Sequence, residues 1–86
     1  MSAITIYTKP TCPYCIAAKA LLRGKGVEFN EINIEGDRAT AVAMMERTGR
    51  RTVPQIYIGT THVGGFDDLH ALEEQGQLEP LLGVNA

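Results

Sequence analysis

The sequence has no long hydrophobic run, which argues against a helix that spans a membrane. No stretch approaches the ~20 consecutive apolar residues that such a helix requires. Residues 1–7 alternate polar with apolar side chains and lack the charged lead and the apolar run of about 7 to 15 residues of a secretory signal. We therefore expect a cytoplasmic protein that does not bind membranes.

The chain is also short, poor in cysteine and close to neutral. Its 86 residues leave room for one compact domain, so we expect a single domain over residues 1–86. The 44% hydrophobic and 21% charged composition is that of an ordinary folded protein. A net charge of −2 argues against a sequence-independent nucleic-acid partner. Two cysteines are too few for the disulfide framework of a small secreted scaffold.

The charges are unevenly distributed along the chain. Residues 1–26 carry no acid and four basic residues, which gives +4: Lys9, Lys19, Arg23 and Lys25. Residues 27–86 carry ten acids and four arginines, which gives −6. An anion-binding site is therefore expected near the first part of the chain.

The hydrophobic pattern predicts alternating strands and helices. Strands are expected over residues 4–7, 27–34, 55–58 and 62–63, and the last two form a hairpin. The first helix is expected to begin at Cys12 after a Thr11 cap and to stop at Gly26. A second helix is expected from an Asp37 cap to Gly49, a third from residue 66, and a last short turn near residues 78–82. This order, βαβαββα, predicts an α/β protein whose first two strands are parallel.

Cys12 and Cys15 bracket a Cys-Pro-Tyr-Cys segment at the expected start of the first helix. Residues three apart on a helix place their Cβ atoms about 5 to 6 Å apart, near the separation of ~3.5 to 4.5 Å that a disulfide requires. At Cys12, free backbone N–H groups and the positive helix end favour a thiolate, with Lys9 nearby. The spacing predicts a redox-active pair in which Cys12 is the nucleophile and Cys15 the resolving thiol.

Two other interpretations of the cysteines stay open. They can be inert buried thiols, although an apolar core has no need of this spacing at a helix start. They can also bind zinc with His62 and His70. The separation of these histidines, however, exceeds the three to five residues, roughly, of a zinc finger. We expect no metal.

Three motifs resemble those of the glutaredoxin family and follow its order. They are Tyr7-Thr8-Lys9 through Cys12-Pro13-Tyr14-Cys15, Thr52-Val53-Pro54-Gln55, and Gly64-Gly65-Phe66-Asp67-Asp68-Leu69. Cys-Pro-Tyr-Cys is similar to the dithiol class of that family, whereas thioredoxins carry a Trp-Cys-Gly-Pro-Cys pattern that a chain without tryptophan lacks. The resemblance covers nearly the whole chain. It implies the thioredoxin fold, with a four-stranded mixed sheet of order 2-1-3-4 flanked by helices.

The resemblance also implies a groove for glutathione, the reducing co-substrate. It places Lys9 near a glutathione carboxylate, Tyr14 along the groove wall, and Val53 where its backbone pairs with the tripeptide. It further implies a cis peptide before Pro54. From the sequence alone a trans bond would be assigned, since only about 5 to 6% of such bonds are cis. The implied glutathione-binding residues are Lys9, Tyr14, Thr52, Val53, Pro54, Gly65, Phe66, Asp67 and Asp68.

The charges of glutathione suggest how one end of the tripeptide is held. The backbone N–H groups of Phe66 and Asp67, at a helix start, suit the γ-glutamyl carboxylate. Either Asp68 or Asp67 takes the ammonium group, and the other complements the helix dipole. We favour Asp68 as the ammonium ligand. Arg50 and Arg51 are left unassigned.

The activity implied is that of a glutathione-dependent thiol-disulfide oxidoreductase acting through a Cys12 thiolate. Its expected partners are glutathionylated or disulfide-bonded proteins and, indirectly, glutathione reductase, and the chain is expected to be a monomer. One alternative is an iron–sulfur cluster carrier, in which two protomers bridge a cluster through Cys12 and two glutathiones. Another is a thioredoxin-like reductase served by a flavoprotein.

Overall fold

Strands and helices alternate along residues 3–83, the part of the chain that the computed structural model describes. The elements are β1 (Ile4–Thr8), α1 (Pro13–Gly24), β2 (Asn30–Asn33), α2 (Arg38–Thr48), β3 (Gln55–Ile58), β4 (Thr61–Gly64), α3 (Phe66–Glu74) and α4 (Leu78–Leu82). The predicted order is confirmed, and the last short turn is a helix of its own. No helix in this range is both long enough and apolar enough to cross a bilayer.

The strands form one mixed sheet in the order β2-β1-β3-β4. Strand β1 runs parallel to β2 and antiparallel to β3, and β3 and β4 form the predicted antiparallel hairpin. Tyr7, near the end of β1, pairs with Gln55 at the start of β3. The segment after β1 and the loop before β3 therefore meet at the same end of the sheet. The Cys12-Pro13-Tyr14-Cys15 motif begins in the first, and the Thr52-Val53-Pro54-Gln55 motif begins in the second.

Several predicted boundaries are wrong by one to three residues, and the main differences are at β2 and α1. Strand β2 begins at Asn30 and not at Val27, because pairing with β1 starts where Thr5 faces Asn30. Helix α1 is capped by Cys12 and not by Thr11, and it ends at Gly24 with Lys25 as its C-cap. The left-handed turn at Gly26 (φ 73°) follows this cap, so that glycine reverses the chain after the helix has ended.

The sheet buries a different cluster of side chains on each face. Successive strand residues point to opposite faces, so one face carries the isoleucines of β1 and β3 and the other carries tyrosines. The isoleucine face packs on α1, α3 and α4, with Ile4, Ile6, Ile56, Ile58, Ala18, Leu22, Leu69, Leu78 and Leu82 buried. The tyrosine face packs on α2, with Tyr7, Tyr57, Ile34 and Met44 buried. Helices therefore cover both faces of the sheet, as the resemblance implies.

Helix α2 has the ends that its sequence predicts. The Asp37 carboxylate accepts a hydrogen bond from the backbone N–H of Thr40 at 3.1 Å and another from its hydroxyl at 2.7 Å. These bonds hold the pKa of Asp37 below its usual range. At the other end, Gly49 adopts the left-handed conformation (φ 73°) and its N–H reaches the Met45 carbonyl. This turn directs the following residues back toward the cysteine end of the sheet.

Two isoleucines provide a matched test of this core. Ile6 is 0% exposed, and we expect Ile6→Ala to lower the free energy of unfolding by about 2 to 5 kcal/mol, through lost burial and a residual cavity. Ile16→Ala removes the same atoms from a side chain that is 57% exposed, and its effect should stay within about 0.5 kcal/mol. Urea denaturation followed by circular dichroism measures both. Equal losses would contradict the assigned core.

Candidate active site

Cys12 occupies the N-cap position of α1. Its Sγ accepts a hydrogen bond from the backbone N–H of Cys15 at 3.2 Å, and its own N–H donates to the Lys9 carbonyl at 3.2 Å. On its other side, the thiol donates to the Val53 carbonyl oxygen at 3.5 Å. The half-buried sulfur thus lies between the first turn of α1 and the loop that enters β3.

Cys15 lies one turn further along α1 and is completely buried, with 0% exposure. This burial, together with the hydrogen bond to Cys12, raises the pKa of the Cys15 thiol to about 12. Cys15 is therefore a protonated thiol at neutral pH. Both cysteines are free in this structure. A molecule that approaches from solvent meets Cys12 first.

A groove of about 310 Å³ opens beside Cys12. Three segments line it: the first turn of α1, the loop before β3, and the start of α3. The rings of Tyr14 and Phe66 stack with their centroids 6.2 Å apart. The Val53–Pro54 peptide bond is cis, as the resemblance implies and contrary to the assignment from the sequence alone. The lining residues are Tyr14, Arg50, Thr52, Val53, Pro54, Gly65, Phe66, Asp67 and Asp68.

Asp68 is one of two acidic residues at the α3 end of the groove. Its Oδ2 accepts a hydrogen bond from the Gly65 N–H at 2.9 Å and another from Arg50 Nη1 at 3.0 Å. The Gly65 bond first, and then the Arg50 bond, hold the pKa of Asp68 below its usual range. Asp68 therefore carries a negative charge at neutral pH. The neighbouring Asp67 is exposed on the same helical turn.

Gly64 leaves the space that this arrangement needs. Its φ is 111°, a region that side chains disfavour. A Cβ at this position would lie 2.4 Å from Asp68 Oδ2 and 3.0 Å from Arg50 Nη1. Both the backbone conformation and the packing at the groove therefore require glycine here.

A buried amide supports the floor of the groove. Gln55 is 0% exposed, and its Nε2 donates to the Thr52 carbonyl at 2.9 Å. Its Oε1 lies 2.8 Å from Nε2 of His62, whose ring stacks on Tyr57. Gln55 and His62 thus hold the backbone of the loop that carries Val53. The sequence pattern predicts neither role. It indicates only that Gln55 begins a strand and that His62 lies in the hairpin.

Lys9 lies outside the lining of this groove. Its exposed side chain borders a separate hollow with Asp37 and Arg38, and its carbonyl binds the Cys12 N–H. A contact between Lys9 and a glutathione carboxylate stays a prediction. The other eight residues that the resemblance implies all line the groove.

The histidines do not lie with the cysteines in a ligand cluster. His62 is bound to Gln55, while Nδ1 of His70 lies 3.4 Å from Oε1 of Glu74 on α3. Residues 3–83 contain no group of three or more His, Cys, Asp or Glu side chains placed to hold a metal ion.

Arg50 is a groove residue that the sequence pattern did not identify. Its position two residues before Thr52 is a weak signal, because Arg51 has the same chemistry one residue later. The backbone decides between them: it turns at Gly49, and the Arg50 N–H then binds the Thr48 hydroxyl at 3.0 Å.

A Cys-x-x-Cys pair whose first sulfur caps a helix beside a groove is the arrangement of a dithiol site in thiol oxidoreductases. A sequence model of the family described as Glutaredoxin matches residues 4–63. Glutaredoxin 3 of Escherichia coli K12 is 56% identical over 95% of this chain and 99% of its own length. Glutaredoxin of Pseudomonas aeruginosa is 54% identical over 98% of this chain and 100% of its own. The chain belongs to the glutaredoxin family.

Solved structures agree with this assignment. The solution structure of glutaredoxin from Brucella melitensis has a TM-score of 0.85 at 52% identity, over 100% of this chain and 96% of that one. A crystal structure of a buckwheat glutaredoxin–glutathione complex has a TM-score of 0.89 at 30% identity, over 95% of this chain and 77% of that one. These structural relatives confirm the thioredoxin fold and the glutaredoxin resemblance, and the neighbouring Cys12 and Cys15 are consistent with the dithiol class.

Two glycines test the packing at the α3 end of the groove. We expect Gly64→Ala to lower the free energy of unfolding by about 1 to 3 kcal/mol, because its Cβ meets Asp68 and its φ becomes strained. Gly24→Ala, on α1 with no atom within 4 Å of the added Cβ, is the matched control and should not destabilise. Thermal and urea denaturation measure both. A Gly64→Ala variant as stable as the wild type would contradict the described contact.

The raised pKa of Cys15 predicts how stability depends on pH. In the unfolded chain this thiol ionises near its ordinary value of 9.0, whereas in the folded protein it does so near 12. The raised pKa of Cys15 therefore adds to the free energy of unfolding. This stabilisation is fully present below pH 9 and is lost as the pH rises from 9 toward 12. We expect the unfolding midpoint to fall over that window, and less steeply in Cys15→Ala. Parallel pH profiles for the two proteins would refute the assignment.

Proposed function

We propose that this protein reduces mixed disulfides between proteins and glutathione, and disulfides within proteins, through the Cys12 sulfur. The observation that carries this proposal is the 3.5 Å contact between Cys12 Sγ and the carbonyl of Val53, a groove residue. It places the more accessible sulfur at the edge of a groove of about 310 Å³. The buckwheat relative, solved as a complex with glutathione, supports glutathione as the ligand of this groove.

The charges of the groove suit the γ-glutamyl end of glutathione. The first N–H groups of α3, at Phe66 and Asp67, have no acceptor within the helix and favour a carboxylate. Asp68, anionic and half-exposed, favours the ammonium group of the same end. In this proposal Val53 pairs through its backbone with the tripeptide, and Tyr14 and Phe66 form the apolar wall.

The reaction on a glutathionylated protein takes two exchanges. The Cys12 thiolate attacks the glutathionyl sulfur, so that a Cys12–glutathione bond forms and the protein thiol leaves with a proton from solvent. The thiolate of a second glutathione then attacks the bound glutathionyl sulfur, which releases Cys12 and oxidised glutathione. Neither exchange needs Cys15. All the residues of this scheme come from one chain, so a monomer suffices.

A disulfide within a protein needs the second cysteine. Cys12 attacks first and forms a mixed disulfide, which Cys15 then resolves to leave a Cys12–Cys15 bond. Because Cys15 is a buried neutral thiol, it must lose its proton as it attacks. Glutathione reduces the resulting bond, and glutathione reductase regenerates glutathione. Glutaredoxin potentials of about −200 to −230 mV lie near the glutathione poise, so such a bond cycles.

Single serine substitutions separate the two cysteine roles. We expect Cys12→Ser to reduce activity to the uncatalysed rate on every substrate, because the attacking sulfur is gone. Cys15→Ser should keep the reduction of a small glutathione mixed disulfide within about threefold of the wild type, while the reduction of a protein disulfide is impaired. A glutathione-coupled NADPH assay with glutathione reductase measures both reactions. Equal loss in the two variants on the mixed disulfide would refute these roles.

A further inference from the structure

The ion pair between Arg50 and Asp68 lies within the groove. Both residues line it, and Nη1 of Arg50 is 3.0 Å from Oδ2 of Asp68. The two side chains remain 49% and 44% exposed, so water reaches both partners. Ion pairs this exposed are weak, and a charged ligand group can therefore displace one partner.

Asp68 does not depend on Arg50 for its position. The Gly65 N–H binds the same Oδ2 at 2.9 Å and ties the carboxylate to the start of α3. The donor of this bond is a backbone group at the helix start, and it does not involve Arg50. Arg50 therefore occupies the carboxylate without being needed to orient it.

The fold brings Arg50 to this carboxylate from the segment between α2 and β3. The Arg50 N–H donates to the Thr48 hydroxyl at 3.0 Å, and that hydroxyl in turn lies 2.8 Å from the Met44 carbonyl at the end of α2. The guanidinium reaches across to Gly64, where a Cβ would come within 3.0 Å of Nη1. The guanidinium has room beside Asp68 because the Arg50 backbone is anchored and Gly64 has no side chain.

We propose that the Arg50 guanidinium binds the Asp68 carboxylate when the groove is empty. There it competes with the ammonium group of the ligand and so lowers the affinity of the groove for glutathione. This inference rests on the proposed function, since it assigns the ammonium group to Asp68. Two cations that share one carboxylate repel each other, so binding of the ammonium group weakens the Arg50 contact. Arg50 is thus a specificity-determining residue that reduces the advantage of a cationic ligand end.

Two ligands that differ by one ammonium group test this competition. S-methylglutathione cannot exchange thiols, and its analogue with a glutaryl group in place of the γ-glutamyl group lacks the ammonium. We expect Arg50→Met to bind S-methylglutathione about two- to fivefold more tightly than the wild type does, the range expected from the strength of an exposed ion pair. Binding of the glutaryl analogue should change less than about twofold. Titration calorimetry measures all four affinities.

The neighbouring arginine supplies the matched control. Arg51→Met removes the same charge from an exposed residue outside the groove lining, so it should leave both affinities unchanged. In an Asp68→Asn background, Arg50→Met should no longer strengthen S-methylglutathione binding, because the carboxylate for which the two cations compete is absent. The gain in Arg50→Met should also shrink as salt increases.

The outcomes separate this inference from the function on which it rests. If the wild type neither binds S-methylglutathione nor reduces a glutathione mixed disulfide, the proposed function is wrong. If the wild type does both, but Arg50→Met binds S-methylglutathione no better or more weakly, the competition is refuted and the function stands. A gain of equal size for both ligands, or in Arg51→Met, would also refute the competition.

Discussion

The first turn of a helix leaves backbone N–H groups without acceptors, and at α1 the Cys12 sulfur takes one of them. This single bond fixes where the sulfur lies. Because Tyr7 pairs with Gln55, the turn after β1 and the loop before β3 are neighbours, and the capping sulfur meets the Val53 carbonyl. The position of the reactive atom therefore follows from one helix cap and one pair of strands, and the groove is built around it.

The kinds and order of the elements followed from the hydrophobic pattern, but their exact ends did not. Val27 is apolar and buried, so the sequence pattern indicates a strand residue there. Pairing with β1 nevertheless begins only at Asn30. Thr11 is a favoured cap by residue type, and the structure nevertheless uses the sulfur of Cys12. Such ends depend on strand register and turn geometry, which a pattern along one chain does not contain.

The groove was predicted mainly through its motifs, because the strand order, the cis bond before Pro54 and the binding residues came from the resemblance. The motifs missed one contact made by a motif residue and one groove residue that lies outside them. Gln55 belongs to a motif, but its contact with His62 joins two strands and appears only after folding. Arg50 and Arg51 are equivalent in sequence until the backbone turn at Gly49 directs Arg50 toward Asp68.

The uneven charge of the sequence has a largely internal role in the fold. Lys19 binds Glu31 on β2, and Lys25 binds Glu73 and Glu79 on α3 and α4, so these contacts join the basic first part to the acidic remainder. The charged side chains that line the groove, Arg50 and Asp68 among them, come from the acidic remainder, while the first part contributes Tyr14. In the proposed function, the groups that meet the charges of the ligand are the α3 N–H groups and the Asp68 carboxylate. These ion pairs instead join α1 and its C-cap to β2, α3 and α4 at the surface, around a core that apolar side chains form.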